Sequence, residues 1–202
     1  MKWTLKKIDK ETEHRFLNFY TVHYEVEDDD KVKDYSYFLA SRNEKIDDLR
    51  ANKVSFSRPD AVLIGCYQIK DGELYMLLEK QFRPALNTYV YSFPAGLMDK
   101  DDQTVEDTAR REAKEETGYD VTDIEILLPP SPTSEGLSDE CNSVVLARLS
   151  DAGKENKGEF EDINSKLLSC SQVKELMNNP DILFSNSARL LILYLMERYS
   201  RK

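Results

Sequence analysis

Apolar and polar positions change rhythm several times along the chain, and each rhythm predicts a different element. Aromatic and aliphatic residues alternate with polar ones in Phe16-Leu17-Asn18-Phe19-Tyr20-Thr21-Val22-His23-Tyr24-Glu25-Val26, and again in Tyr35-Ser36-Tyr37-Phe38-Leu39-Ala40. The acidic stretch Glu27-Asp28-Asp29-Asp30-Lys31 separates them. Two β-rich runs around a polar turn predict an antiparallel hairpin or meander. Residues 41–52 are charged and read as a short helix or a loop. From Pro59 the pattern tightens. Residues 61–67 form a continuous apolar run, Asp71-Gly72 is a hairpin signal, and 73–83 read as the return strand. A short strand at 89–93 stops at Pro94-Ala95-Gly96. Residues 104–117 predict a helix, with Thr104 as N-cap, Glu106 and Asp107 in the first turn and Gly118 just beyond the end. Strands follow at 124–128 and 143–149, flanking a loop at 129–140. The polar stretch 151–162 suits a surface excursion. Helices near 171–178 and 185–199 close the chain, the second carrying a core-packing set from Leu190 to Met196. The order predicts an α+β domain built on a mixed sheet, with a β-rich segment at 1–58 and the main domain at 59–202.

Charge narrows the function classes. Lys and Arg number 28 against 38 Asp and Glu, a net charge of −10, which opposes duplex DNA or an anionic membrane. An anionic ligand therefore needs local arginines or bound cations. No apolar run approaches the roughly 20 residues of a membrane span. The N-terminal MKWTLKKIDKETEH has lysines but no apolar h-region, so no secretory signal is expected. Cys66, Cys141 and Cys170 are odd in number and widely spaced, fitting neither a disulfide framework nor a zinc site. A cytoplasmic location is the expectation.

The chemistry concentrates between Gly96 and Tyr119. On a helix Glu112, Glu115 and Glu116 stand at i, i+3 and i+4, so their carboxylates are expected to converge on one face. Val105, Ala109 and Ala113 make a neighbouring apolar stripe of small volume, which lets the helix sit close to a sheet. Clustered oxygen donors without His or Cys favour a hard cation, Mg²⁺ or Mn²⁺, over zinc. Such ions neutralise phosphate oxygens. The competing reading is a solvated glutamate-rich helix. Against it, R-E-x-x-E-E-x-G arises by chance at roughly 10⁻⁶ per start position.

Residues Arg111-Glu112-Ala113-Lys114-Glu115-Glu116-Thr117-Gly118-Tyr119 resemble the second half of the Nudix box, G-x5-E-x7-R-E-U-x-E-E-x-G-U. Gln81-Phe82-Arg83-Pro84, Phe93-Pro94-Ala95-Gly96-Leu97-Met98-Asp99 and Gly136-Leu137-Ser138-Asp139-Glu140 are similar to stretches of ADP-ribose and nucleotide-sugar pyrophosphatases. The resemblance implies a Nudix fold, a mixed sheet between helices, and Mg²⁺-dependent cleavage of a nucleoside diphosphate linked to a second group. It implies Glu112, Glu115 and Glu116 as metal ligands, with the Ala95 carbonyl as a further oxygen. Arg111 resembles the box arginine that holds a glutamate in place; its alternative is a surface pair with Glu115. Glu140 resembles the loop carboxylate of this subfamily, a general base or an extra ligand, on a Gly-containing loop able to close over substrate; alternatively it faces solvent. Arg83 is a candidate for the diphosphate or a surface arginine. Arg42 resembles N-terminal arginines that reach a partner subunit's site, or it is a surface residue. Gly136 belongs to the same substrate loop.

Two departures stand out. Six residues lie between Gly96 and Gln103, one more than the box allows before its first glutamate, and Asp102 holds the unshifted place. Glu135 stands where ADP-ribose pyrophosphatases carry proline, which keeps GDP- or UDP-sugars and dinucleotides open as substrates. A non-catalytic nucleotide-sensing module is the rival from another class, and the intact carboxylate set argues against it. Trp3, Tyr20 and Tyr24 are candidates for base stacking or core packing, and His14 and His23 read as surface or structural residues. The tyrosine and phenylalanine excess before Pro59 predicts a homodimer formed through the N-terminal strands.

Overall fold

The computed structural model describes residues 1–29, 31–152 and 162–199. Most of the surface excursion expected at 151–162 lies outside them. The chain divides into two units, one of residues 1–60 with 130–142 and one of 61–129 with the remainder from 143 onward.

The first unit is built on an antiparallel sheet of β1 (Lys2–Lys10), β2 (Asn18–Asp28) and β3 (Lys31–Ser41), in that order. The alternating runs pair as expected, with Tyr24 opposite Tyr35 and Tyr20 opposite Leu39. β1 is an addition that the lysine-rich N-terminus concealed. Tyr20, Val22, Leu39 and Leu49 form this unit's buried cluster, and the Tyr20 hydroxyl donates to the carbonyl of Asn43 at 2.6 Å. Tyr20 is thus a core residue. Leu49 follows a single 3-10 turn (Ile46–Asp48), the only regular structure in the charged stretch. His23 is also structural: its ring bonds Asp9 and Ser36, each at 3.0 Å. Trp3 packs edge-on against Tyr24 and Tyr35, yet 51% of it remains exposed.

The second unit carries a mixed sheet whose main path runs β10–β5–β4–β9–β8. These strands are β4 (Ala61–Lys70), β5 (Glu73–Arg83), β8 (Tyr119–Pro132), β9 (Cys141–Ala152) and β10 (Ile163–Ser169). β6 (Thr88–Ser92) pairs with β5, and β7 (Ala95–Leu97) pairs with β4. The strand alternation sorts side chains to two faces. Val62, Ile64, Cys66, Leu77, Val145 and Ala147 face α1 (Val105–Thr117) through Ala109 and Ala113. Leu63, Met76, Leu78 and Leu146 face α3 (Asn186–Tyr199), with Leu191, Ile192 and Leu195, and Val173 of α2 (Cys170–Asn178). The sheet therefore lies between helices, the Nudix-like arrangement expected. Among the described helices none is long and apolar enough to cross a membrane.

Candidate metal and diphosphate site

The helix α1 starts and stops where local chemistry dictates. The Thr104 hydroxyl accepts from the Asp107 N–H, and the Asp107 carboxylate accepts from the Thr104 N–H, a reciprocal capping box. Gly118 ends the helix in the left-handed region at φ 75°, where a side chain would be strained. Between these ends Ala109 and Ala113 bring the helix close to β4. Glu112 is carried to the middle of β7, where its carboxyl lies against the α-carbon of Gly96. A methyl group placed on Gly96 would overlap that carboxyl.

Arg111 is the centre of this corner. Its guanidinium donates to Glu112 at 2.7 Å, to Glu115 at 3.3 Å, to the Leu97 carbonyl at 3.0 Å and to Asp102 at 2.7 Å. Asp99 approaches it at 3.7 Å. Asp102 is buried and also accepts from the Asp99 N–H and the Thr108 hydroxyl. The Arg111 bonds hold its carboxyl down at about 2, against the opposing effect of burial. Gln103 is exposed. The extra residue in the box is thereby resolved: Asp102, counted forward from Gly96, takes the inward place.

The carboxylates of the helix do not all point alike. Glu112 and Glu115 both lie on Arg111. Glu116 is buried, and the Cys66 thiol is pushed well up by burial first and then by the Glu79 and Glu116 carboxylates. As arranged, no three His, Cys, Asp or Glu side chains among the described residues group closely enough to hold a metal ion. The donor chemistry nevertheless fits a hard cation, because every ligand offered is oxygen. Burial raises the Glu112 carboxyl, Arg111 pulls it back, and the Glu115 and Asp99 charges raise it further. A buried carboxyl raised in this way gains from an added cation. Ala95 opens β7 opposite Leu63, and the carbonyl that meets Arg111 is that of Leu97. Arg83 is exposed at the end of β5, paired with Thr88 of β6.

Glu140, Arg42 and Gly136 belong to the first unit. The Arg42 Nε donates to Glu140 at 3.2 Å. The Tyr37 hydroxyl donates to the Gly136 carbonyl at 2.6 Å, and the Ala40 N–H to the Leu137 carbonyl at 2.9 Å. Ala40 also forms a parallel bridge with Ser138. The loop expected to be free to close is thus bonded to β3. Its length and glycine suggested mobility, and nothing local in the sequence signalled these partners. Arg50 is the residue the sequence reading missed: its guanidinium contacts Asp60 and the Asp139 carbonyl. Glu135 is exposed on this loop.

Comparison with known proteins identifies a family. The family profile of the NUDIX domain matches residues 57–186. An uncharacterized Nudix hydrolase of Schizosaccharomyces pombe is 34% identical over 107 residues, 52% of this chain and 50% of that protein. An ADP-sugar pyrophosphatase of Mus musculus is 36% identical over 98 residues, 45% of this chain and 44% of that protein. The chain spans about half the length of these curated relatives. A solved structure described as an ADP compounds hydrolase has a TM-score of 0.68 at 19% identity, covering 100% of this chain and 95% of its own.

Proposed function

The chain belongs to the Nudix family, and from that premise we propose that it is a divalent-metal-dependent pyrophosphohydrolase acting on ADP-ribose or a related nucleoside diphosphate sugar. The observation that carries the proposal is the corner where Glu112, Glu115 and Asp102 share Arg111 against Gly96. Glu112, Glu115 and Glu116 would hold Mg²⁺ or Mn²⁺ together with the Ala95 carbonyl. When bound, that ion supplies charge neutralisation of the diphosphate and a more acidic water. Arg111 keeps the helix carboxylates oriented. Arg83 and Arg42 offer planar donors for diphosphate oxygens. Gly136 stands in the loop assigned to substrate. Glu140 takes the proton of the attacking water, since the helix carboxylates are committed to the ion. From ADP-ribose the products would be AMP and ribose 5-phosphate. A second substrate class, GDP- or UDP-sugars and dinucleotides, is kept open by Glu135. The enzyme is further proposed to work as a homodimer.

The test is a screen over nucleoside diphosphate compounds that follows nucleoside monophosphate formation by chromatography, with Mn²⁺ binding followed separately by electron paramagnetic resonance. Turnover should vanish in excess EDTA and return with Mg²⁺. Glu112→Gln should weaken Mn²⁺ binding at least tenfold and kcat about a hundredfold. Undiminished turnover in EDTA overturns the proposal.

A further inference from the structure

The peptide groups on both sides of Glu140 are held by one ion pair, Arg50 ahead of the matched family region and Asp60 just inside it. Arg50 and Asp60 lie 2.9 Å apart, with only 14% and 21% of their side chains exposed. The same Arg50 Nη1 donates to the Asp139 carbonyl at 2.7 Å. The Asp60 carboxylate accepts from the Cys141 N–H at 2.8 Å, and the Asp60 N–H donates to the Cys141 carbonyl at 2.8 Å. The Arg50 N–H reaches the Asp139 carboxylate at 3.2 Å. Two further guanidinium bonds, to the carbonyls of Ser55 and Arg58, fix the plane of Arg50 itself. The Glu140 carbonyl accepts from the Thr133 N–H at 3.1 Å.

We propose that the Arg50–Asp60 pair is a positioning device for Glu140, clamping the peptides before and after it so that its carboxylate keeps one orientation. The proposal rests on the base assignment made above. Arginine suits the task because its rigid, planar donors serve Asp60 and three carbonyls at once, whereas a lysine ammonium has no such fork. Among the described residues the Glu140 carboxylate meets Arg42, which is half exposed. A surface pair of that kind orients a side chain weakly. The backbone clamp therefore provides most of the order, and it originates at residues 50 and 60.

Steady-state kinetics of Arg50→Lys, Glu140→Gln and the double variant, on the nucleoside diphosphate sugar turned over fastest in the screen, test the idea. Hydrogen exchange of the metal-free proteins provides a readout independent of turnover. Arg50→Lys should lower kcat at least tenfold with KM within threefold, and speed exchange selectively in residues 133–142. In the Glu140→Gln background the same substitution should change kcat less than twofold, because the group it positions is gone. An equal loss in both backgrounds, or unchanged exchange at 133–142, overturns the proposal while leaving the base assignment standing. An intact kcat in Glu140→Gln alone removes the base assignment, and this proposal with it. Asp60→Asn should reproduce the Arg50→Lys pattern if the lysine variant does not fold. Loss of folding in both assigns the pair to stability alone and overturns the proposal.

Discussion

Asp102 shows how a single residue replaces a missing one. The box glutamate is absent at Gln103, yet a shorter carboxylate one position earlier reaches Arg111 with two oxygens. The cost of burying it is offset by four donors: two from Arg111, the Thr108 hydroxyl and the Asp99 N–H. Its carboxyl is lowered from 3.8 to about 2 in the folded protein. A depressed folded value means that stability is fully present above the unfolded value and is lost as the pH falls through the folded one. Urea unfolding of the wild type and Asp102→Asn should therefore differ by about 1–2 kcal/mol at neutral pH. The gap should narrow from about pH 4 downward and close near pH 2. A gap of constant size across that window would show that Asp102 is not the titrating partner of Arg111.

At the scale of elements, the parts with strong local chemistry were legible and the parts held by tertiary partners were not. Helix α1 was readable to the residue because cap, first-turn acids and terminal glycine all agree. The hairpin at Asp71-Gly72 was equally clear, and both residues adopt positive φ there. β1 and β10 were missed, since Lys-Trp-Thr-Leu-Lys-Lys and Ile-Asn-Ser-Lys-Leu-Leu-Ser carry little apolar alternation and owe their strand state to pairing with β2 and β5. β7 is only three residues long and was hidden by the Pro94-Ala95-Gly96 stop. In the site, the box residues were visible, but the direction of Glu116 and the Arg50 clamp depend on packing that spacing does not encode. The cap itself is testable. Thr104→Ala removes one side of the capping box and should cost about 1 kcal/mol, or about 3 °C in Tm. Thr104→Ser, which keeps the hydroxyl, should recover most of it. Equal stability of the alanine variant and the wild type would show that the box contributes nothing to α1.

At the scale of the whole molecule, surface charge and surface hydrophobicity make separate demands. A net charge of −10 repels an anionic substrate, so cations, whether arginines or the proposed divalent ion, must be gathered locally. The hydrophobic demand comes from the three-stranded sheet of the first unit. Exposed large side chains occur on both its faces: Trp3 and Tyr35 on the face of the buried cluster, Phe19 and Phe38 on the other, with Phe38 73% exposed. One apolar face of such a sheet is ordinary, whereas contiguous exposed aromatics on both are what association surfaces present. β3 is also the last strand of its sheet, its far end already bridged to the loop at Ala40. The proposed homodimer would cover these side chains with their equivalents from a second copy, the self-complementary contact of a two-fold interface. Sedimentation equilibrium at micromolar concentration should give twice the 23.4 kDa of the chain. Phe38→Asp should shift the population toward monomer by placing a charge where an apolar contact is required, without unfolding the buried cluster around Tyr20. A wild type that sediments at 23.4 kDa under those conditions would leave the exposed aromatics without a second copy to cover them, and the dimer would have to be abandoned.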